Sequence, residues 1–374
     1  MLLSLLWLFV TPACLADGRS EPLRVAYTHS GAEFRALLDR YLEIDADVEF
    51  TWFDYGDLLT RLRNPARYDE VPDAIISPAD IVAMHQHIRL SPIPDALRVS
   101  DAFEGGLGYT LPLFTGNHLL LYFNRSRVAE PARTWSQLAM PVDGETPAVG
   151  WSFYDAYWFI PFISALSQVP SMEDSVPRVE ENLGEAFGVL WHAAQNGVVD
   201  AECDYGCQMA RFVGGNQDYL INGVWAFAEL EHAMGEDLGV SALPELEGHA
   251  MRSYYSRFVL SFPFDALDGA KQARLYRLAG FLQSDAFQSG VWEGLREIPI
   301  DSTGLQASTR DSAAFKVIRQ AMEDGVPMPG NAAMSRYWEG LFKAFVRYGG
   351  GALSDGEVAP YVRAYLQWEP DEDG

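Results

Sequence analysis

Cysteine is scarce in this chain: three occur in 374 residues, at positions 14, 203 and 207. That count excludes a disulfide-dense scaffold, and a zinc site on Cys203 and Cys207 would need two more ligands that the neighbouring sequence does not supply. Basic residues are also few, with 27 Lys and Arg against 52 Asp and Glu and a net charge of -25. Such a charge repels phosphate backbones and anionic lipid surfaces, so neither nucleic acid nor a membrane surface is an expected partner. The seven histidines are scattered, and His85 and His87, two apart on a predicted helix, do not share a face. The chain lacks G-x-S-x-G, H-E-x-x-H, a Walker loop and G-x-G-x-x-G. No cofactor and no catalytic group is therefore expected. Carboxylates are numerous enough to leave a glycosidase pair open by count, but no pattern points to one.

Apolar residues make up 48% of the sequence, enough to bury the cores of two lobes. Residues 1–16, MLLSLLWLFVTPACLA, carry a ten-residue run that is apolar except for Ser4. That length suits a secretory signal and is too short to span a bilayer. Cleavage after Ala16 is expected, although the usual basic residues ahead of the run are missing. Lipid attachment at Cys14 ranks second, because Thr11-Pro12 makes a poor lipobox. No later segment reaches the length of a membrane span. Cys203 and Cys207, four apart around Gly206, allow a small disulfide-closed loop, which an oxidising compartment permits.

The order of elements argues an α/β chain. Leu23–Tyr27 reads as a strand, followed after Gly31 by a helix with Phe34, Leu37, Leu38, Tyr41 and Leu42 on one face. Val48–Phe53 and Ala74–Ser77 give two more strands around a short helix, Asp57–Arg63. This alternation predicts a mainly parallel sheet. Leu119–Phe123 is a continuous apolar run suited to a buried strand. Tyr154–Gln168 reads as a helix apolar nearly all round, and Leu183–Gln195 as an amphipathic one stopped by Gly197. The stretch from Asp218 to Leu246 is the most organised: a strand ending at Ile221, turn chemistry at Asn222-Gly223, a helix from Val224, then a second strand ended by Pro244. Trp225 thus falls just past a strand end, where α/β sheets face ligands. Ser253–Phe264 is predicted as a strand and Ala270–Phe281 as a helix. Ser354-x-x-Glu357 has capping-box spacing and opens a last helix.

The segments Asn222–Phe227 and Asp237–Leu246 resemble the ING-PWAF and GVAPLP motifs of periplasmic sugar-binding proteins of ABC importers, of the maltose-binding type. Four further segments match in order: Gly105–Asn124, the region around Trp158, Leu295–Ile300, and Met328–Trp338, similar to MPNIPEMSAFW. The resemblance covers roughly residues 20–367. It implies a two-lobed periplasmic binding protein fold of type II with a hinge between lobes. It also implies boundaries: lobe 1 at 17–116 and 256–302, lobe 2 at 117–255 and 303–374, with an acidic tail at the end.

Pyranose rings stack their C–H faces on aromatic side chains, and their hydroxyls need acceptors such as Asp, Glu or Asn. By resemblance the stacking residues are Trp225 and Trp338, with Tyr157 or Trp158 beside them. Asp80, Asn117 and Asp155 are the hydroxyl-binding candidates. Ser77 stands where maltose-type proteins carry Trp, and Asn117 where they carry Glu, which argues for a ligand other than a maltodextrin. The expected function is a monomeric, non-enzymatic binding component that delivers a sugar or oligosaccharide to membrane permease subunits. Two alternatives are a ferric-ion binder, suggested by Tyr254-Tyr255, and an exported carbohydrate hydrolase.

Overall fold

The computed structural model describes residues 21–68, 71–85, 87–98, 108–140, 147–171, 174, 176–300, 305, 307–329 and 333–367. The expected signal at 1–16, Cys14 and the acidic tail lie outside these residues. Strands β1 (Leu23–Tyr27), β2 (Val48–Trp52) and β3 (Ala74–Pro78) run parallel. β4 (Leu111–Gly116), β5 (Leu119–Asn124), β6 (Val149–Gly150), β7 (Tyr219–Gly223) and β8 (Leu238–Ser241) follow. After a small hairpin of β9 (Glu245–Leu246) and β10 (His249–Ala250) come β11 (Tyr254–Ser261), β12 (Ile298–Pro299) and β13 (Val326–Pro327).

These strands make two main sheets, one per lobe. The larger has the order β12-β4-β11-β3-β1-β2, with β13 added on β11, and the smaller has the order β6-β7-β5-β8. Parallel pairing holds for the opening strands and for two short pairs, β6 with β7 and β13 with β11. β11 is antiparallel to both β3 and β4, and β5 is antiparallel to β7 and β8. The expected mainly parallel sheet is therefore a mixed one. The reason is connectivity: β4 and β11 enter the first lobe as chain passing to and from the second, rather than as helix-linked crossovers.

All six residues of β5 are buried, because both faces of its sheet are covered. Leu119, Leu121 and Phe123 pack into a core with Trp151, Phe187 and Phe345, whereas Leu120 and Tyr122 join Phe212, Phe227 and Phe315 on the other face. The unbroken apolar run thus reflects alternate residues serving two cores. In the first lobe the helix Ala32–Asp39 buries Phe34, Leu37 and Leu38 against β1 and β2. It gives way to a 3-10 turn at Arg40–Glu43, which rotates Leu42 off the predicted face, to 37% exposure. The predicted helix at Tyr154–Gln168 is shorter and later, a 3-10 turn at Ala156–Phe159 leading into Ile160–Leu166.

The chain passes between lobes within two residues, Asn117 and His118, that separate β4 from β5. Asn117 takes the turn with a left-handed φ of 66°, which Asn tolerates better than most residues. β11 makes the return, with Tyr254 in the second lobe's core and Val259 to Ser261 paired to β3. The expected third passage at 302–303 lies outside the described residues, although Trp292 and Ile298 already pack in the core with Phe227 and Phe315. Serines stitch the passages together: Ser253 Oγ accepts from the Leu119 amide at 3.0 Å, and Asn117 Nδ2 donates to Ser256 Oγ at 2.9 Å.

His118 is fully buried at this junction, and burial pushes its imidazole down to about 4. The backbone at Ile318 and Gly116 acts in the opposite direction without offsetting it. An unfolded histidine titrates near 6.5, so between about pH 6.5 and 4 the unfolded chain takes up a proton that the folded chain refuses. His118 therefore destabilises the fold progressively as pH drops through that window. Between pH 7 and pH 5 the expected loss is about 2 kcal/mol from this group. Urea unfolding of the wild type and His118→Asn at both pH values checks this: the variant should show the smaller pH dependence, and equal dependence in both would refute the assignment.

Candidate functional site

β7 ends at Gly223 and runs directly into a 3-10 turn, Val224–Ala226, that starts the helix Phe227–Met234. Asn222-Gly223 is not the left-handed turn that its composition suggests. Gly223 is extended, with φ −76° and ψ 164°, and Asn222 is a paired strand residue opposite Leu120. Glycine is required for another reason. The Trp225 indole folds back over it, so a Cβ there would lie 1.9 Å from the ring. The bare backbone of Gly223 is thus the seat of the indole, and Asn222 stabilises the bend by accepting from the Gly223 amide at 2.8 Å.

Around Trp225 the fold gathers most of the aromatic candidates. Tyr157 lies 6.3 Å from Trp225 and 6.0 Å from Trp338, centroid to centroid, so it links the two tryptophans. All three are half-buried, leaving ring surface free. Trp158 differs: it is 5% exposed, donates to the Ile221 carbonyl at 2.8 Å, and stands edge-on behind Trp225. Its place is that of a support. Tyr254 and Tyr337 back Trp338 in the same way.

The Tyr157 hydroxyl points away from the open face, against the Asn117 carbonyl and, at 3.1 Å, the Tyr254 carbonyl. Its phenol pKa is raised strongly, first by burial and then by the charge of Asp155, so it stays protonated and donating. Asn117 accordingly serves the passage between lobes through both its carbonyl and its side-chain amide. Asp155 is surface-exposed beside this group, yet desolvation by the surrounding protein raises its carboxyl above the ordinary value, against the pull of the Tyr157 amide that it caps at 2.9 Å. A carboxylate both reachable and partly stripped of water is a strong acceptor for a ligand hydroxyl. Asp80 follows β3 in the 3-10 turn Ala79–Met84, and its side chain lies outside the described set. Ser77 is fully buried at the end of β3 and presents no surface for stacking.

Cys203 and Cys207 are joined as a disulfide spanning the start of the helix Tyr205–Val213. Asp204 caps that helix by accepting from the Cys207 amide at 2.9 Å. Between the cysteines stands Tyr205, which sequence reasoning missed: its hydroxyl accepts from Trp225 Nε1 at 3.2 Å, and its ring lies 6.5 Å from Trp158. Tyr205, Tyr154, Asp155 and Phe342 border a cavity of about 500 Å³. Phe342 could have been found from its position four residues past Trp338 on one helix face; Tyr205 carried no comparable signal.

The lobes, the paired passages between them and this aromatic face define a two-lobed periplasmic binding protein fold of type II. No known protein-family model matches the chain. Two similar solved structures are the maltose/maltodextrin-binding domain MalE from Bdellovibrio bacteriovorus, bound to maltotriose, and the GacH receptor of Streptomyces glaucescens GLA.O, solved unliganded and with acarbose and an acarbose homolog. Each aligns at a TM-score of 0.78 over 92% of this chain and 98% of its own, at 18% identity. The likeness is one of fold.

Replacing Gly223 by Ala places a methyl inside the Trp225 ring position. The indole must leave its seat, and overpacking of this kind costs about 1–3 kcal/mol. Near-UV circular dichroism should lose part of its tryptophan signal while far-UV ellipticity is kept. An unchanged tryptophan signature would show that the indole does not rest on Gly223.

Proposed function

We propose that this protein is the substrate-binding component of an ABC importer, which takes a sugar or oligosaccharide between its lobes and delivers it to membrane permease subunits. The observation that carries this reading is the open face of Trp225, Tyr157 and Trp338 beside the exposed, partly desolvated Asp155, set against the passage between lobes. Stacking surface together with a hydroxyl acceptor is the chemistry that a neutral sugar needs. The solved structures of like fold support it, being complexes with maltotriose and with acarbose.

The mechanism is a shift between open and closed lobes. Contacts to the ligand from both sides exist only when the lobes meet, so binding favours the closed form by its extra affinity for that form. Tyr157 sits where the two events join, with its ring on the ligand side and its hydroxyl on the strands that must bend. No reacting group is needed for this work, in keeping with a non-enzyme. Burial of Ser77, where a maltose-type protein carries Trp, directs the reading away from maltodextrins. The ferric-ion alternative loses support because the Tyr254 phenol is fully buried and donates to the Pro170 carbonyl at 2.7 Å. Residues 1–16 as a cleaved secretory signal, a periplasmic location and a monomeric state complete the proposal. Among the described residues no helix is long and apolar enough to cross a membrane.

A thermal-shift screen of residues 17–374 against mono-, di- and oligosaccharides, polyols and ferric ion tests this. A ligand at about 100 times its Kd stabilises by roughly 2.7 kcal/mol, a clear rise in Tm. For the sugar found, Trp225→Ala should weaken binding at least tenfold by calorimetry, about 1.4 kcal/mol or more. The sugar should be recovered intact. Silence across the sugars, or their turnover, would sink the reading.

A further inference from the structure

A buried carboxylate lies on the first lobe's side of the passage between lobes. Glu297 is 4% exposed and directly precedes β12. Arg296 before it takes a left-handed φ of 59° and sends its guanidinium to Glu231 at 2.8 Å. Among the described residues, the ion-pair contact of Glu297 is to His29 alone, with His29 Nε2 and Glu297 Oε1 3.5 Å apart. The second oxygen, Oε2, is buried and has no hydrogen-bond partner among the described residues.

The rest of the cluster fixes what this oxygen can do. The Gly31 amide donates to His29 Nδ1 at 3.2 Å. A ring nitrogen that accepts carries no proton, so the imidazole proton sits on Nε2, aimed at Glu297. His29 is itself enclosed by Phe34, Phe114 and Phe258, with ring centroids 4.9 to 6.1 Å away. Oε2 hangs over Gly116, where a Cβ would come within 2.9 Å of it. The next residue, Asn117, receives the Tyr157 hydroxyl on its carbonyl. Glu297 thus lies against the residue that precedes the Tyr157 contact, on the opposite lobe. A buried carboxylate oxygen left unpaired is costly and calls for a donor. A ligand that enters when the lobes close is such a donor.

We propose that Glu297, oriented by His29, is the first lobe's acceptor for a ligand hydroxyl, opposite the stacking residues of the second lobe. This rests on the sugar-binding reading and narrows it: the ligand presents a hydroxyl edge toward Gly116 while its ring faces lie on Trp225 and Trp338. A charge-assisted hydrogen bond in a site closed to water discriminates strongly against analogues that lack the hydroxyl.

The test uses the tightest-binding member of a panel of glucose, galactose, maltose, maltotriose, cellobiose and raffinose. Glu297→Gln keeps size and shape but removes the charge. It should weaken that sugar's Kd at least tenfold while leaving the sugar-free Tm within about 2 °C. A Kd within twofold of wild type would overturn the proposal and leave the sugar reading standing. Should Glu297→Gln fail to fold, Gly116→Ala, which crowds the same oxygen without removing it, takes its place with the same two outcomes. If the wild type binds none of the six sugars, both readings fall together.

Discussion

The hydroxyl of one tyrosine sits where the molecule's parts meet. Tyr157 belongs to the second lobe, yet its phenol faces the backbone carbonyls of Asn117 and Tyr254, the two residues at which the chain enters and leaves that lobe. Those carbonyls lie just past the end of β4 and at the start of β11, and would be costly to bury without a donor. Two separate strands are thereby held to one turn, Ala156–Phe159, whose start Asp155 caps. The position of the aromatic face relative to the passage follows from this contact.

The aromatic face itself depends on an absence. Trp225 reaches its place because Gly223 has no side chain, and Trp158, Tyr205 and Tyr157 then hold the indole from three sides. Rigid aromatic surface of this kind loses little freedom when it meets a ring, which is the economy of a preorganised site. The disulfide between Cys203 and Cys207 extends the same logic, closing the loop that presents Tyr205.

Local rules made much of this legible in the chain. Periodicity located the opening strands and the helix Leu183–Gln195, and the apolar run at Leu119–Phe123 announced a strand buried on both faces. Gly197 does take the left-handed stop expected of it, with φ of 70°. What escaped was whatever distant contacts decide. Asn222-Gly223 has turn composition, but a tryptophan two residues on and pairing with β5 hold it extended. Leu42 fitted the helical stripe, but the helix tightened one turn early. Glu297 and Tyr205 carry no signal of their own, because nothing adjacent in sequence shows that Gly116 and Trp225 fold against them.

The second lobe is completed from the far end of the chain. Val358, Ala359, Val362 and Leu366 fill the same core as Leu119, Leu121 and Phe187. Arg363 donates to the Val179 carbonyl at 3.1 Å, and Gly184 lies so close to Asp355 that a Cβ would fall 2.3 Å from its carbonyl. The order of synthesis runs against this arrangement. A nascent chain has made the tryptophan at 225 well before the helix Asp355–Gln367 that closes the core behind it. Contacts across such long sequence separations form slowly, and the lobe cannot settle until the helix Asp355–Gln367 has been added. The finished aromatic face is thus a late event in the life of the chain.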